Sequence, residues 1–291
     1  MEYIPWRKKD MLIILCLLAG SGFSLGICLG TDAFLSLAWL YLLPLSFLGG
    51  TVLAVLLAAA VFCIACAVVD MKVLPDKDSK FYRKMTCLYV DAIKTVLRLR
   101  IDTEGLEKTP VDTRFLLVCN HISDLDPVVL FYCFYKSTLA FISKRENDQK
   151  PFVGQIQRKI LCQPINREND REALKTILRC IQLIKEDQVS IGVFPEGYTS
   201  LDGKLRHFRN GVFKIAQKAN VPVVVCTIQG TQESMKSMFK LKGGHVKLNL
   251  LEVIPADEVK AMNTADLGER VYTIMAKDLD PENVYECGEN P

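Results

Sequence analysis

"FLLVCNHISDLDPVVL" (Phe115–Leu130) changes character twice within sixteen residues. It opens as a short continuous apolar run, which reads as a buried strand. It closes as a helical run, Pro127–Tyr135, with proline at a position that suits the first turn. Asp124 or Asp126 stands where that helix opens, and His121 is one of three histidines in the chain. A strand followed by a helix is the building unit of an α/β domain, and polar groups at the strand's end stand where such domains gather their active groups.

Outward from this stretch the alternation continues. Further strand candidates are "LAFIS" (139–143), "LCQPI" (161–165), "VSIGVF" (189–194), "VPVVVCTI" (221–228) and "HVKLNLLEVI" (245–254). "DREALKTILRCIQLIKE" (170–186) is an amphipathic helix with Asp170 as expected N-cap, and "NGVFKIAQKAN" (210–220) is another helix. The expected fold is α/β, a mixed or mainly parallel sheet flanked by helices. The tail after Asp278 is acidic and reads as frayed.

The front of the chain is different. From Asp10 to Met71 there is no Lys or Arg, and the acids are Asp10, Asp32 and Asp70. A helix needs roughly 20 residues to cross a hydrocarbon core of about 30 Å, so this stretch holds two spans and a turn. The expected spans are 11–29 and 47–69, forming a hairpin over residues 1–71. Between them Ala33–Ser46 is mostly apolar, and it extends the second span, lies at the interface, or re-enters. Arg7, Lys8 and Lys9 precede the hairpin, and Lys72, Lys77, Lys80, Arg83 and Lys84 follow it. Basic flanks with no base in the loop put both ends on the cytoplasmic side of a cell membrane. A cleaved signal peptide fits Met1–Leu29, but cleavage would export the basic cluster at Lys72–Lys84.

Residues 72–100 carry a basic amphipathic helix, with Phe81, Met85, Leu88, Ala92, Val96 and Leu99 at three- and four-residue steps. It packs on the domain or lies in the headgroup layer of an anionic membrane. Residues 101–291 form the remaining domain. The eleven cysteines are scattered, and Cys63 and Cys66 have no matching pair, so small apolar filler is the reading and no metal site is expected. A net charge of +3 gives no argument for nucleic acid.

Two readings of His121 and Asp126 stand on the residues alone. In one, Asp126 holds a ring nitrogen of His121, leaving the other as a general base for a hydroxyl. In the other, His121 is a polar loop residue and Asp126 only a helix cap. "VFPEGYTS" (Val193–Ser200) is similarly a strand-end loop, with Glu196 at the tip of a turn shaped by Pro195 and Gly197.

Taken together, "NHISDLD" and, some seventy residues later, "FPEG" resemble the glycerolipid acyltransferase family, the type that acylates 1-acylglycerol-3-phosphate. "FISKRE" (141–146), "PINREN" (164–169) and "VPVVVCTI" resemble further family blocks in the expected order, so the resemblance covers about Leu99 to Ile254. It implies a membrane-bound O-acyltransferase that moves a fatty acyl group from a thioester to lysophosphatidic acid, giving phosphatidic acid. His121 would be the base and Asp126 its orienting partner. Arg167 and Lys144 would grip phosphate. Glu196 and Gly197 would belong to the acceptor site, with Arg206 and Arg209 supplying charge. Acyl-CoA or acyl carrier protein would be co-substrate, with no resident cofactor, and membrane lipids would be partners.

One departure is plain: the family often has "EGTRS", whereas here "EGYTS" puts Thr199 where an arginine is usual. The acceptor therefore stays open to another lysophospholipid or a lyso-amino-acid lipid. Two rivals of other classes are a lipid hydrolase and a non-catalytic membrane scaffold. The first would want a nucleophile such as G-x-S-x-G, absent from the chain beyond Met71; the second has no need of His121, Asp126 and Glu196 together.

Overall fold

The computed structural model describes residues 10–200, 202–238 and 242–284. The basic residues Arg7, Lys8 and Lys9 and the last seven residues of the tail lie outside them. The chain divides into two compact units between Lys72 and Val73.

The first unit is a pair of helices, α1 (Met11–Gly30) and α2 (Trp39–Ala67), joined through a short 3-10 turn at Ala33–Leu35. Their contact depends on small residues. A Cβ on Gly20 would lie 2.1 Å from Thr51 Oγ1, and one on Gly50 would lie 2.8 Å from Phe23 Cδ1. Bare backbone at these points lets the helices approach closely. Ser24 Oγ donates to Leu43 O at 2.7 Å and lies 2.9 Å from Ser46 Oγ. The second apolar helix thus starts at Trp39 rather than Phe47, and Ala33–Ser46 is the turn followed by the head of α2. α2 runs through Pro44, which lies in its second turn and lacks the N–H that would bond the carbonyl of Leu40. By length and composition both helices are apolar enough to cross a bilayer, with mean hydropathies of 2.4 and 2.6 over their best windows.

The second unit opens with α3 (Lys80–Val96). It buries Tyr82, Met85 and Val90 and leaves Phe81 and Val96 exposed, so its packed stripe is rotated from the expected one. Arg83 holds the start of α3 in place: its guanidinium pairs with Asp78 at 2.6 Å and donates to the carbonyls of Leu139 and Ile160.

Seven strands follow: β1 (Arg100–Glu104), β2 (Leu116–Cys119), β3 (Leu139–Lys144), β4 (Gln163–Ile165), β5 (Ser190–Val193), β6 (Val223–Gln229) and β7 (His245–Ile254). Their order is β1-β7-β6-β2-β5-β3-β4. The five from β6 to β4 are parallel; β7 is antiparallel to β6, and β1 runs with β7. This mixed, mainly parallel sheet is the expected one. β2 and β5 are buried along their whole lengths, which is why they read as unbroken apolar runs. β1 escaped the sequence reading because "RIDTE" is a polar edge strand with half-exposed residues.

Helices α4 (Asp126–Cys133), α5 (Val153–Lys159), α6 (Asp170–Lys185), α7 (Lys214–Ala219), α8 (Thr231–Met238), α9 (Ala256–Ala261) and α10 (Thr264–Asp278) complete the unit. The cap of α6 is Asn169, not Asp170: its side chain accepts from the N–H of Arg171 and Glu172 at 3.1 and 3.2 Å. The "NGVFKIAQKAN" helix is a 3-10 turn (Asn210–Phe213) leading into α7. Chain after Asp278 is partly anchored, since Leu279 is buried and Leu205 N donates to Asn283 O at 2.7 Å. This corrects the expectation of fraying as far as Val284.

Candidate active site

β2 and β5 are neighbours, so the loops leaving their C-terminal ends lie side by side. The first loop begins with Asn120. Its side chain extends the ladder to β6, donating to Ile228 O at 2.9 Å and accepting from Ile228 N at 2.8 Å. With its foot clamped, the chain turns around the Asp126 carboxylate. Asp126 Oδ2 accepts from Ile122 N at 2.7 Å, from Ser123 N at 2.8 Å and from His121 Nδ1 at 2.8 Å. Oδ1 accepts from Thr231 Oγ1 at 2.5 Å. Asp126 is the first residue of α4 and is fully buried. It therefore organises the turn at the start of the helix and orients the histidine, so the two readings of this pair are not exclusive.

A carboxylate on Nδ1 sets the proton there and leaves the lone pair on Nε2. The His121 ring is held flat by Phe194, with centroids 4.1 Å apart and planes 19° apart. Phe141 stacks behind Phe194 at 5.6 Å. Thr199 Oγ1 stands 3.0 Å from Nε2. Since Nε2 carries the lone pair, the threonine hydroxyl is the donor.

The second loop is tied to the first through Glu196. Its Oε1 accepts from His121 N at 2.9 Å and its Oε2 from Arg206 N at 3.1 Å. Only 1% of Glu196 is exposed, and burial pushes its carboxyl up to about 8 against the opposing pull of those two N–H groups. Ser200 N returns a bond to His121 O at 2.7 Å. Gly197 has a φ of +84°, and a Cβ there would lie 2.9 Å from Arg209 Nε, so backbone angle and space both require glycine.

A cavity of about 670 Å³ opens over the two loops. His121, Thr199, Lys144, Arg167 and Arg209 are among its polar lining, and Phe131, Phe141 and Ile177 among its apolar wall. An adjoining concavity of about 360 Å³ shares Lys144, Arg167 and Arg209. Arg167 is held below its ordinary value by burial and then by the neighbouring Arg209 charge. Among the described residues neither arginine has a carboxylate ion-pair partner. A half-buried Arg167 and an exposed Arg209 gathered side by side form a place for an anion.

The structure thus brings His121, Lys144, Arg167, Gly197 and Arg209 to one cavity and buries Asp126 behind the His121 ring. It places Glu196 behind the loops, with each carboxylate oxygen on a backbone N–H, and points Arg206 elsewhere, onto Asp202 at 2.7 Å. Cys119 is in the core, and burial holds its thiol well above the usual range, away from nucleophilic chemistry. The string "GFSLG" (Gly22–Gly26) has the spacing of a hydrolase elbow but lies inside α1, where Ser24 is bonded to α2. Three residues of the site went unread. Thr231 reaches Asp126 from 105 positions away, Phe194 supports the ring, and Thr199, noticed only as a missing arginine, touches the His121 imidazole.

A family model described as Acyltransferase matches residues 100–229. The 1-acyl-sn-glycerol-3-phosphate acyltransferase of Bacillus subtilis is 30% identical over 198 residues, which cover 64% of this chain and 95% of that protein. A probable 1-acyl-sn-glycerol-3-phosphate acyltransferase of Mycoplasma pneumoniae is 33% identical over 173 residues, 58% of this chain and 62% of that one. A chloroplastic relative from Brassica napus is 36% identical over 137 residues, and this chain spans 39% of its length. The crystal structure of PlsC, the 1-acyl-sn-glycerophosphate acyltransferase of Thermotoga maritima, superposes with a TM-score of 0.58 at 27% identity, covering 68% of this chain and 78% of that one.

Proposed function

The chain belongs to the acyltransferase family of these relatives, and from that premise we propose that it acylates the free hydroxyl of 1-acylglycerol-3-phosphate from an acyl thioester, producing phosphatidic acid. The observation that carries this reading is one cavity holding both an Asp126-oriented His121 and the Lys144–Arg167–Arg209 cluster.

The acceptor's phosphate would rest on Arg167, Arg209 and Lys144. Its hydroxyl would give its proton to His121 Nε2 while the oxygen attacks the thioester carbon. The imidazolium that forms faces the Asp126 carboxylate at 2.8 Å, which stabilises it, and it then returns the proton to the departing thiolate. The acyl chain would lie along the wall of Phe131, Phe141 and Ile177. The thioester is carried by coenzyme A or acyl carrier protein, as a co-substrate. Hairpin α1–α2 would anchor the protein in the cell membrane with the α/β unit on the cytoplasmic side, so that lipid substrates need not cross water. A second acceptor, a lysophospholipid of another headgroup or a lyso-amino-acid lipid, is favoured by one feature: Thr199 in place of the usual arginine.

The test is acyl transfer by the purified protein. Wild type should transfer to 1-acylglycerol-3-phosphate, and His121→Ala should lose about 10²–10⁴-fold while still folded. Equal activity in both would overturn the mechanism. Transfer only to a lysolipid without a phosphomonoester would move the assignment to the second reading.

A further inference from the structure

The lone pair of the base is already taken. Thr199 Oγ1 lies 3.0 Å from His121 Nε2, within ordinary hydrogen-bond range, and both groups face the cavity. The hydroxyl is held there by its surroundings. Its neighbour Ser200 is 1% exposed, donates its N–H to His121 O at 2.7 Å, and places its own hydroxyl 2.7 Å from Asp202 Oδ1 and 2.6 Å from Lys204 O. On the other side Gly197 turns the chain beneath Arg209. The loop therefore delivers Thr199 to the spot where a reacting hydroxyl must sit.

Resting on the acyltransferase reading, we propose that Thr199 is a positioning residue that keeps the acceptor's seat on His121, excluding water from the base until the acceptor's hydroxyl displaces it. An activated thioester beside a free base invites hydrolysis. A water on Nε2 would lose a proton to the ring while its oxygen bonds the acyl carbon; the C–S bond would break, and the thiolate would take the proton back. The products are a fatty acid and a thiol, and the acyl group is wasted. With the threonine hydroxyl on Nε2, water finds no basic atom. A lysolipid hydroxyl, brought in by a phosphate on Arg167 and Arg209, arrives at high local concentration and takes the place over. Thr199 thus sets the choice of acceptor over water.

The experiment measures thiol release from an acyl thioester by the full chain, first without acceptor and then with 1-acylglycerol-3-phosphate. Thr199→Ala opens room for water at Nε2. It should raise acceptor-free thiol release about fivefold, the equivalent of one ordinary hydrogen bond, and lower the KM for acceptor with little change in kcat. Thr199→Ser keeps the hydroxyl and should behave as wild type. Thr199→Val fills the space with a methyl group and should release no more thiol than wild type. Acceptor-free release by Thr199→Ala no greater than wild type, or Thr199→Ser matching Thr199→Ala, would overturn the proposal. If wild type shows no transfer to 1-acylglycerol-3-phosphate, the proposed acceptor fails, yet the acceptor-free comparison still decides the role of Thr199.

Discussion

Asp126 and Glu196 are both carboxylates buried at the ends of neighbouring parallel strands, and they do opposite work. Asp126 is surrounded by four donors, one of them an imidazole that lines the cavity. Glu196 meets only backbone N–H groups, one from His121 and one from Arg206. It joins two loops and offers nothing to the cavity. Burial outweighs those N–H groups and leaves its carboxyl raised to about 8. The contrast teaches that an acid in a strand-end motif is assigned by what its oxygens touch. A motif string cannot distinguish an acid that serves the base from one that holds the loop carrying it.

The sharpest break of this comparison is Asp126→Asn. The asparagine can keep the turn but not the tautomer or the imidazolium, so kcat should fall about 10²–10⁴-fold with a small change in thermal midpoint. A midpoint drop as severe as the loss of activity would mean that Asp126 is structural too, and the contrast would dissolve.

Glu196→Ala should show the reverse order. It strands two backbone N–H groups, at about 1–3 kcal/mol each, so denaturant unfolding should report the main effect and the activity loss should follow from loop displacement. Thr231→Val removes one donor from Asp126 while leaving the imidazole contact. It should cost about 1–3 kcal/mol in unfolding and reduce kcat less than tenfold.

The contrast also predicts a pH dependence of stability. The Glu196 carboxyl rises from 4.5 to about 8 on folding, so between these values the folded chain keeps a proton that the unfolded chain has released. The stability tied to Glu196 is complete below about 4.5 and is lost as pH rises toward about 8. The unfolding free energy of wild type minus that of Glu196→Gln should therefore decline across this window. A flat difference would place Glu196 in the same charged state in both forms and remove this arm of the contrast.

The legible parts of this protein share one property: their signal is local. β2, β3, β5, β6 and β7 were readable because strands buried on both faces, or alternating against a core, carry their pattern within a few residues. His121 and Asp126 were readable because the partner lies five positions away across a single turn. The hairpin was readable from the absence of Lys and Arg over sixty residues. β1 was not, since an edge strand needs polar residues and looks like a loop. The cap of α6 was displaced by one residue, because Asn169 and Asp170 both have capping chemistry and only the backbone angle of Asn169, with φ −127° and ψ 102°, separates them.

By itself, then, the sequence determined the α/β architecture, the two apolar helices and the place of His121 and Asp126 at one strand end. Tertiary structure alone decided which charges meet. It gathered Lys144, Arg167 and Arg209 around one cavity, withdrew Glu196 and Arg206 from it, brought Thr231 to Asp126 from the start of α8, and set Thr199 on the His121 imidazole. The reason is physical. Local pattern records which face of an element is apolar, a property each segment carries alone. A hydrogen bond between strand-end loops depends on which strands are neighbours, and that order is set by the packing of the whole sheet.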